Sequence, residues 1–99
     1  SRGLGDVYKR QVPGCKVTDS ILADGCVIEG TVENCVLFRG VRVAPGAMLE
    51  NCILMQDTVI CEGAALKFII SDKDVRVSPY VTLTGSEKLP LVIPKGSEL

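Results

Sequence analysis

The sequence has 99 residues, room for one small domain, and carries 11 Lys+Arg against 12 Asp+Glu. This balance argues against a nucleic-acid binder, which carries a basic surplus. The absence of histidine excludes imidazole acid–base chemistry, His-assisted nucleophiles and His-ligated metal centres. Apolar residues make up 46% but aromatic residues only 4%, so the core must be built from Val, Ile, Leu and Ala, which suit thin, layered β packing. The cysteines (Cys15, Cys26, Cys35, Cys52 and Cys61) are odd in number and lack CxxC spacing, which predicts reduced thiols in the cytoplasm. No apolar run approaches the ~18 residues of a bilayer span, so no membrane partner is expected.

Residues 1–11, SRGLGDVYKRQ, show no apolar periodicity and carry four charges, Arg2, Asp6, Lys9 and Arg10. They are identical to one reading frame of a tagmentation adapter used in short-read sequencing. The segment is therefore expected to be adapter-derived and unstructured, with the gene fragment starting near Val12. Without it the charge balance becomes 8 − 11, a net −3.

From residue 12 to 84 the sequence repeats. ENCVLFRGVRV begins at Glu33, ENCILMQDTVI at Glu50 and KFIISDKDVRV at Lys67, each 17 positions after the last. Within this period runs a beat of about six: large aliphatics at Leu22, Ile28, Val43, Leu49, Ile60 and Leu66, separated by turn pairs such as Asp24-Gly25, Pro45-Gly46 and Glu62-Gly63. Turns this frequent rule out helices, which need ~10 to 12 uninterrupted residues. A fixed register rules out independent hairpins. What remains is a solenoid of triangular coils stacked at roughly 4.8 Å. Three inward ladders are expected: Val32, Leu49, Leu66 and Leu83; Val36, Ile53 and Ile70; and Val43, Ile60 and Val77. Ala47 and Ala64 are expected at tight corners. Residues 85–99 break the period, and Leu91-Val92-Ile93, between two prolines, reads as a capping edge strand.

The stretch ADGCVIEGTVENCVLFRGVRVAPGAMLENCILMQDTVICEGAAL, followed by SDKDVRV, LTG, LPLVI and PKGSEL, resembles the C-terminal β-helix of bacterial glucose-1-phosphate adenylyltransferase (ADP-glucose pyrophosphorylase), with the regulatory-type subunit of glycogen biosynthesis nearest. The resemblance covers about Val17 to Leu99. It implies an all-β fold: a single-stranded left-handed parallel β-helix, or hexapeptide-repeat solenoid, over 12–84, with short C-terminal cap strands over 85–99. It further implies a parent subunit that makes ADP-glucose and pyrophosphate from ATP and glucose 1-phosphate with Mg²⁺. The β-helix would then serve oligomerisation and allosteric control. Its partners would be its own N-terminal nucleotidyltransferase domain and other adenylyltransferase subunits. The family's nucleotide loop, metal-binding aspartates and sugar-phosphate lysine have no counterpart in these residues, so no catalytic, cofactor or metal residue is carried over and the fragment alone is expected to be inactive. Where family members often have glycine this chain has Ala44 and Cys61, and a left-handed turn there would cost ~1 kcal/mol each.

Register brings Arg39 over Lys73 and Arg42 over Arg76, two rungs apart, on one edge of the prism. Paired cations suit a phosphate effector or a partner subunit; they equally make an ordinary solvated edge neutralised by Asp57, Asp72 and Asp74. Glu33, Glu50 and Lys67 form a structural column. Cys35 and Cys52 stack in adjacent coils as a small-residue ladder, too few ligands for zinc. A hexapeptide-repeat acyltransferase shares the coil pattern but uses a histidine between subunits, which this chain lacks. The β-helix of another nucleotide-sugar pyrophosphorylase would share the domain order.

Overall fold

The computed structural model describes residues 15–99 together with the backbone of Arg10 and Gln11. Residues 1–9 of the expected adapter-derived segment lie outside the described residues. Arg10–Gln11 form a two-residue strand, β1, paired in parallel with Val27–Ile28.

Among the described residues there are fifteen strands of two or three residues each and no helix. Strands this short follow from a turn every few residues: positive φ recurs at Gly25, Gly40, Asp57 and Asp74, at Asp19, Asn34, Asn51 and Phe68, and at Gly46, Gly63 and Tyr80. Glycine, asparagine and aspartate occupy most of these corners because they tolerate the left-handed region.

Every strand pairs in parallel with the strand three places along, giving three five-stranded sheets. The first holds β1, β4 (Val27–Ile28), β7 (Arg42–Val43), β10 (Val59–Ile60) and β13 (Arg76–Val77). The second holds β2 (Lys16–Thr18), β5 (Thr31–Glu33), β8 (Met48–Glu50), β11 (Ala65–Lys67) and β14 (Thr82–Thr84). The third holds β3 (Ile21–Leu22), β6 (Val36–Leu37), β9 (Ile53–Leu54), β12 (Ile69–Ser71) and β15 (Leu91–Ile93). The architecture is thus a β-solenoid of stacked three-sided coils. Backbone bonds between coils, such as Val36 N to Cys52 O (2.9 Å) and Met48 N to Ala64 O (2.8 Å), satisfy the amides that these short strands cannot pair locally.

The core is a set of vertical files. Val32, Leu49 and Leu66 stack in register and are buried, with half-buried Val17 and Leu83 at the ends. Ile28, Val43, Ile60 and Val77 form a second buried file. Ala47 and Ala64 are fully buried, as small corner residues should be.

The third expected file requires correction. Val36, Ile53 and Ile70 do stack, but they face outward, and Ile53 is 38% exposed. The inward file is one residue later: Leu22, Leu37, Leu54, Ser71 and Ile93. Leu54 is fully buried. A slip of one residue reverses the face of a strand, and Val36-Leu37 and Ile53-Leu54 are apolar at both positions, so alternation alone does not set the phase. Ser71, the polar member of the inward file, donates its hydroxyl to Asp72 O at 3.0 Å.

Two further departures concern turns. The 17-residue period holds from Val32 to Leu83, but Val17 to Val32 is only 15 positions, and Ile70 to Val92 in the last coil is 22. The missing pair falls between Ile28 and Val32, where Gly30 is buried. A β-carbon there would lie 2.5 Å from Ala47 O and 2.7 Å from Ala44 O, so the shortened corner requires glycine. Second, neither Ala44 nor Cys61 has positive φ; the left-handed positions are Gly46 and Gly63, two residues later. Those substitutions therefore carry no left-handed strain.

The last coil closes the stack: β14 and β15 form the outer strands of the second and third sheets, and Arg76 bridges to Glu98 beside the first.

Candidate functional site

The four cations lie where register places them. Arg42 and Arg76 both pair with Val59, on the outer face of the first sheet, two rungs or roughly 10 Å apart. Asp57 N donates to Arg39 O and Asp74 N to Gln56 O, each at 3.0 Å, which aligns positions 39, 56 and 73 at the preceding corner. All four side chains are exposed.

The structure does not gather them into one site. Arg42 borders an open groove of about 530 Å³ floored by Val27 and Val59, with Glu29 and Glu62 also at its rim. Arg39 borders a separate hollow of about 440 Å³ with Asp24 and Asp57. Lys73 and Arg76 line neither. Arg76 Nη1 donates to Ser78 Oγ at 3.5 Å. Asp72 is turned to its own corner, accepting from Lys73 N at 2.7 Å. The pattern is an exposed mixed-charge edge with two shallow depressions, able to meet an anion or a complementary surface without enclosing one.

The thiols of Cys35 and Cys52 form a buried ladder and carry no disulfide. Each donates to the carbonyl two residues back, Cys35 Sγ to Glu33 O at 3.1 Å and Cys52 Sγ to Glu50 O at 3.2 Å, and Cys52 N donates to Cys35 Sγ at 3.4 Å. Below them Ser20 Oγ accepts from Cys35 N at 3.0 Å. The contact with Cys35, together with burial, pushes the Cys52 thiol up; the hydrogen bond from Cys52 lowers Cys35. Beside this ladder Asn34 Nδ2 donates to Asn51 Oδ1. These interactions stitch coil to coil. Glu33, Glu50 and Lys67 stack as expected. Among the described residues no group of three or more Cys, Asp or Glu side chains is placed to hold a metal ion.

Sequence reasoning passed over the outer face of the third sheet. Ile21, Val36, Ile53, Ile70 and Val92 stand in one outward file, with Phe38, 40% exposed, alongside. The signal was present in the doubled aliphatics that obscured the phase. Among the described residues no helix is long and apolar enough to cross a membrane.

Comparison with known proteins agrees with this geometry. The family model described as "GlmU-like, C-terminal hexapeptide" matches residues 7–88. The glycogen biosynthesis protein GlgD of Bacillus subtilis (strain 168) is 59% identical over 80 residues, 81% of this chain and 23% of that protein. GlgD of Geobacillus stearothermophilus is 53% identical over 81 residues, 82% and 24% of the respective chains. The glucose-1-phosphate adenylyltransferase of Geobacillus stearothermophilus is 54% identical over 37 residues, 37% of this chain and 10% of that protein. The chain thus spans about a quarter of the length of the two GlgD proteins.

Proposed function

The chain belongs to the GlmU-like C-terminal hexapeptide family, and from that premise we propose that it is the oligomerisation and allosteric β-helix of a glucose-1-phosphate adenylyltransferase-type subunit acting in glycogen biosynthesis in the cytoplasm. The observation that carries this reading is the 59% identity to B. subtilis GlgD over 80 residues, which spans the coils that hold the core files and the exposed cation columns. ATP, glucose 1-phosphate and Mg²⁺ belong, on this reading, to a nucleotidyltransferase domain of the parent subunit. What this chain supplies is a rigid, stackable prism with exposed faces, suited to holding subunits in register.

Replacing the C-terminal quarter of B. subtilis GlgD with residues 12–99 tests the proposal. The chimera is expected to copurify with a glucose-1-phosphate adenylyltransferase subunit and to alter its rate of ADP-glucose formation to the same extent as unaltered GlgD measured in parallel. A chimera that folds, shown by a cooperative melt, yet neither copurifies nor alters the rate would refute it.

The regulatory half of the reading rests on Arg39, Arg42, Lys73 and Arg76. They are exposed on one edge, and Arg suits bidentate contact with a phosphate or carboxylate.

A further inference from the structure

We propose that Cys35 and Cys52 are a redox-modification site: a small peroxide joins them in a disulfide that staples adjacent coils, and a dithiol reductant releases it. The inference goes beyond the assembly reading above and does not depend on it.

The fold brings the two thiols together. They sit at one corner on neighbouring rungs, with Glu33 paired to Glu50 on one side and Val36 to Ile53 on the other. Both side chains are buried. Cys52 N lies 3.4 Å from Cys35 Sγ, and the two thiols are hydrogen-bonded to each other. Coils repeat at about 4.8 Å, within the roughly 4.4–6.8 Å between α-carbons that a disulfide spans. Side chains in parallel register keep about that separation at the β-carbon, wider than the roughly 3.5–4.5 Å of a relaxed bridge. The bond therefore forms under strain, which leaves it easily reduced.

Ser20 shows that the corner itself does not call for sulfur. On the rung below, its Oγ donates to Thr18 O at 2.9 Å and accepts from Cys35 N at 3.0 Å. Cys35 repeats both contacts one coil later, its Sγ donating to Glu33 O and accepting from Cys52 N. A hydroxyl thus performs the ladder's structural task, and two successive thiols add the capacity to join. Joining them strands neither carbonyl. Glu33 O also accepts from Asn51 N at 3.0 Å and Glu50 O from Phe68 N at 3.1 Å, so both stay paired when the thiols turn toward each other. The bond at stake is Cys52 N to Cys35 Sγ, which has a weak sulfur acceptor.

The hydrogen bond between the thiols divides the roles. Cys52 donates to Cys35, which favours the Cys35 thiolate and holds the proton on Cys52. The Cys35 sulfur attacks a peroxide oxygen. The O–O bond breaks, the released hydroxide leaves as water with the proton that Cys35 gave up, and Cys35 becomes a sulfenic acid. The Cys52 sulfur then attacks the Cys35 sulfur: the S–S bond forms, the S–O bond breaks, and hydroxide departs as water with the Cys52 proton. Two thiols lose two electrons in all, and one hydrogen peroxide becomes two waters. Burial selects a small neutral oxidant over bulky thiol reagents.

Hydrogen peroxide treatment of the 99-residue chain, with Cys15→Ser and Cys61→Ser removing the partly exposed thiols, tests this. Only Cys26 should then alkylate in urea, and the intact mass before alkylation should fall by two hydrogens. Trypsin, cutting after Arg39 and Arg42, should yield a cross-linked pair of peptides joined at Cys35 and Cys52, and dithiothreitol should restore all three thiols. The bridge closes a loop of 17 residues (52 − 35), so the oxidised chain should unfold at a higher urea concentration than the reduced chain. Adding Cys52→Ser should leave Cys35 carrying one oxygen with no bridge, and Cys35→Ser should leave neither product; urea midpoints of the reduced variants establish that each is folded. With both thiols present, full alkylation after peroxide, or a Cys35 that gains oxygen without a bridge, would overturn the proposal. So would an oxidised chain that unfolds at lower urea than the reduced one.

Discussion

Leu54 and Ile53 are adjacent, similar in size and opposite in consequence. Leu54 is fully buried in the inward file between Leu37 and Ser71, whereas Ile53 points outward and is 38% exposed. Truncating Leu54 to Ala removes two methyl groups and a methine from a site enclosed by rigid coils above and below, so both the lost transfer energy and the cavity term apply. The expected loss is about 3 to 4 kcal/mol. Ile53→Ala opens no enclosed cavity and forfeits only partial burial, with an expected loss under about 1 kcal/mol. Urea unfolding followed by circular dichroism measures both, at a concentration low enough to keep the chain monomeric. The midpoint should fall sharply for Leu54→Ala and little for Ile53→Ala, with the slope unchanged. Equal losses, or a larger loss at Ile53, would refute the assigned phase of the third sheet and with it the identity of the exposed face.

Three further outcomes are expected. Tyr80 has φ 62° and is 73% exposed, so Tyr80→Asn should relieve left-handed strain at small cost in packing and raise stability by roughly 0.5–1 kcal/mol, read as a higher thermal midpoint. Native thiol titration should modify Cys15 and Cys61, which are partly exposed, much faster than Cys26, Cys35 and Cys52, which are buried, and all five should react once urea unfolds the chain; a total below five without reductant would reveal a bridge. Arg42→Glu with Arg76→Glu should change the urea midpoint by no more than about 0.5 kcal/mol equivalent, because both side chains are exposed. In the GlgD chimera the same pair should abolish any phosphate-ester effect on ADP-glucose formation, and an unchanged effect would remove these residues from regulation.

The first and second sheets were legible in the sequence because enough of their strands alternate to fix the phase, and doubled pairs such as Val27-Ile28 and Val59-Ile60 follow by register. In Arg42-Val43, Thr31-Val32-Glu33 and Ala65-Leu66-Lys67 one position is apolar and its neighbours are polar or small, which fixes both face and register. The corners were legible for a different reason: Asn34, Asn51, Gly46 and Gly63 belong to the few residue types that accept positive φ. Phe68 and Tyr80 occupy the same corners against type, and only the 17-residue register identifies them. The two-residue deletion near Gly30 was hidden because an even number of residues leaves the inward–outward alternation in phase. The cations were legible as columns, but register alone does not say which depressions they border; that depends on how Asp57 and Pro45 fold over neighbouring turns.

The ambiguity in the third sheet has a physical meaning of its own. A strand that alternates is buried on one face; a strand apolar at successive positions is the pattern of a sheet covered on both. Val36-Leu37, Ile53-Leu54 and Ile69-Ile70 carry that second pattern inside a solenoid whose own coils cover only one side of each wall. Keeping aliphatics on the outer file contributes nothing to the internal core, since Leu37 and Leu54 already fill it, and it leaves apolar surface in water when the chain is alone. The feature that blurred the phase of this sheet is also what leaves its outer file uncharged from Ile21 to Val92, where the outer file of the first sheet carries Arg42 and Arg76.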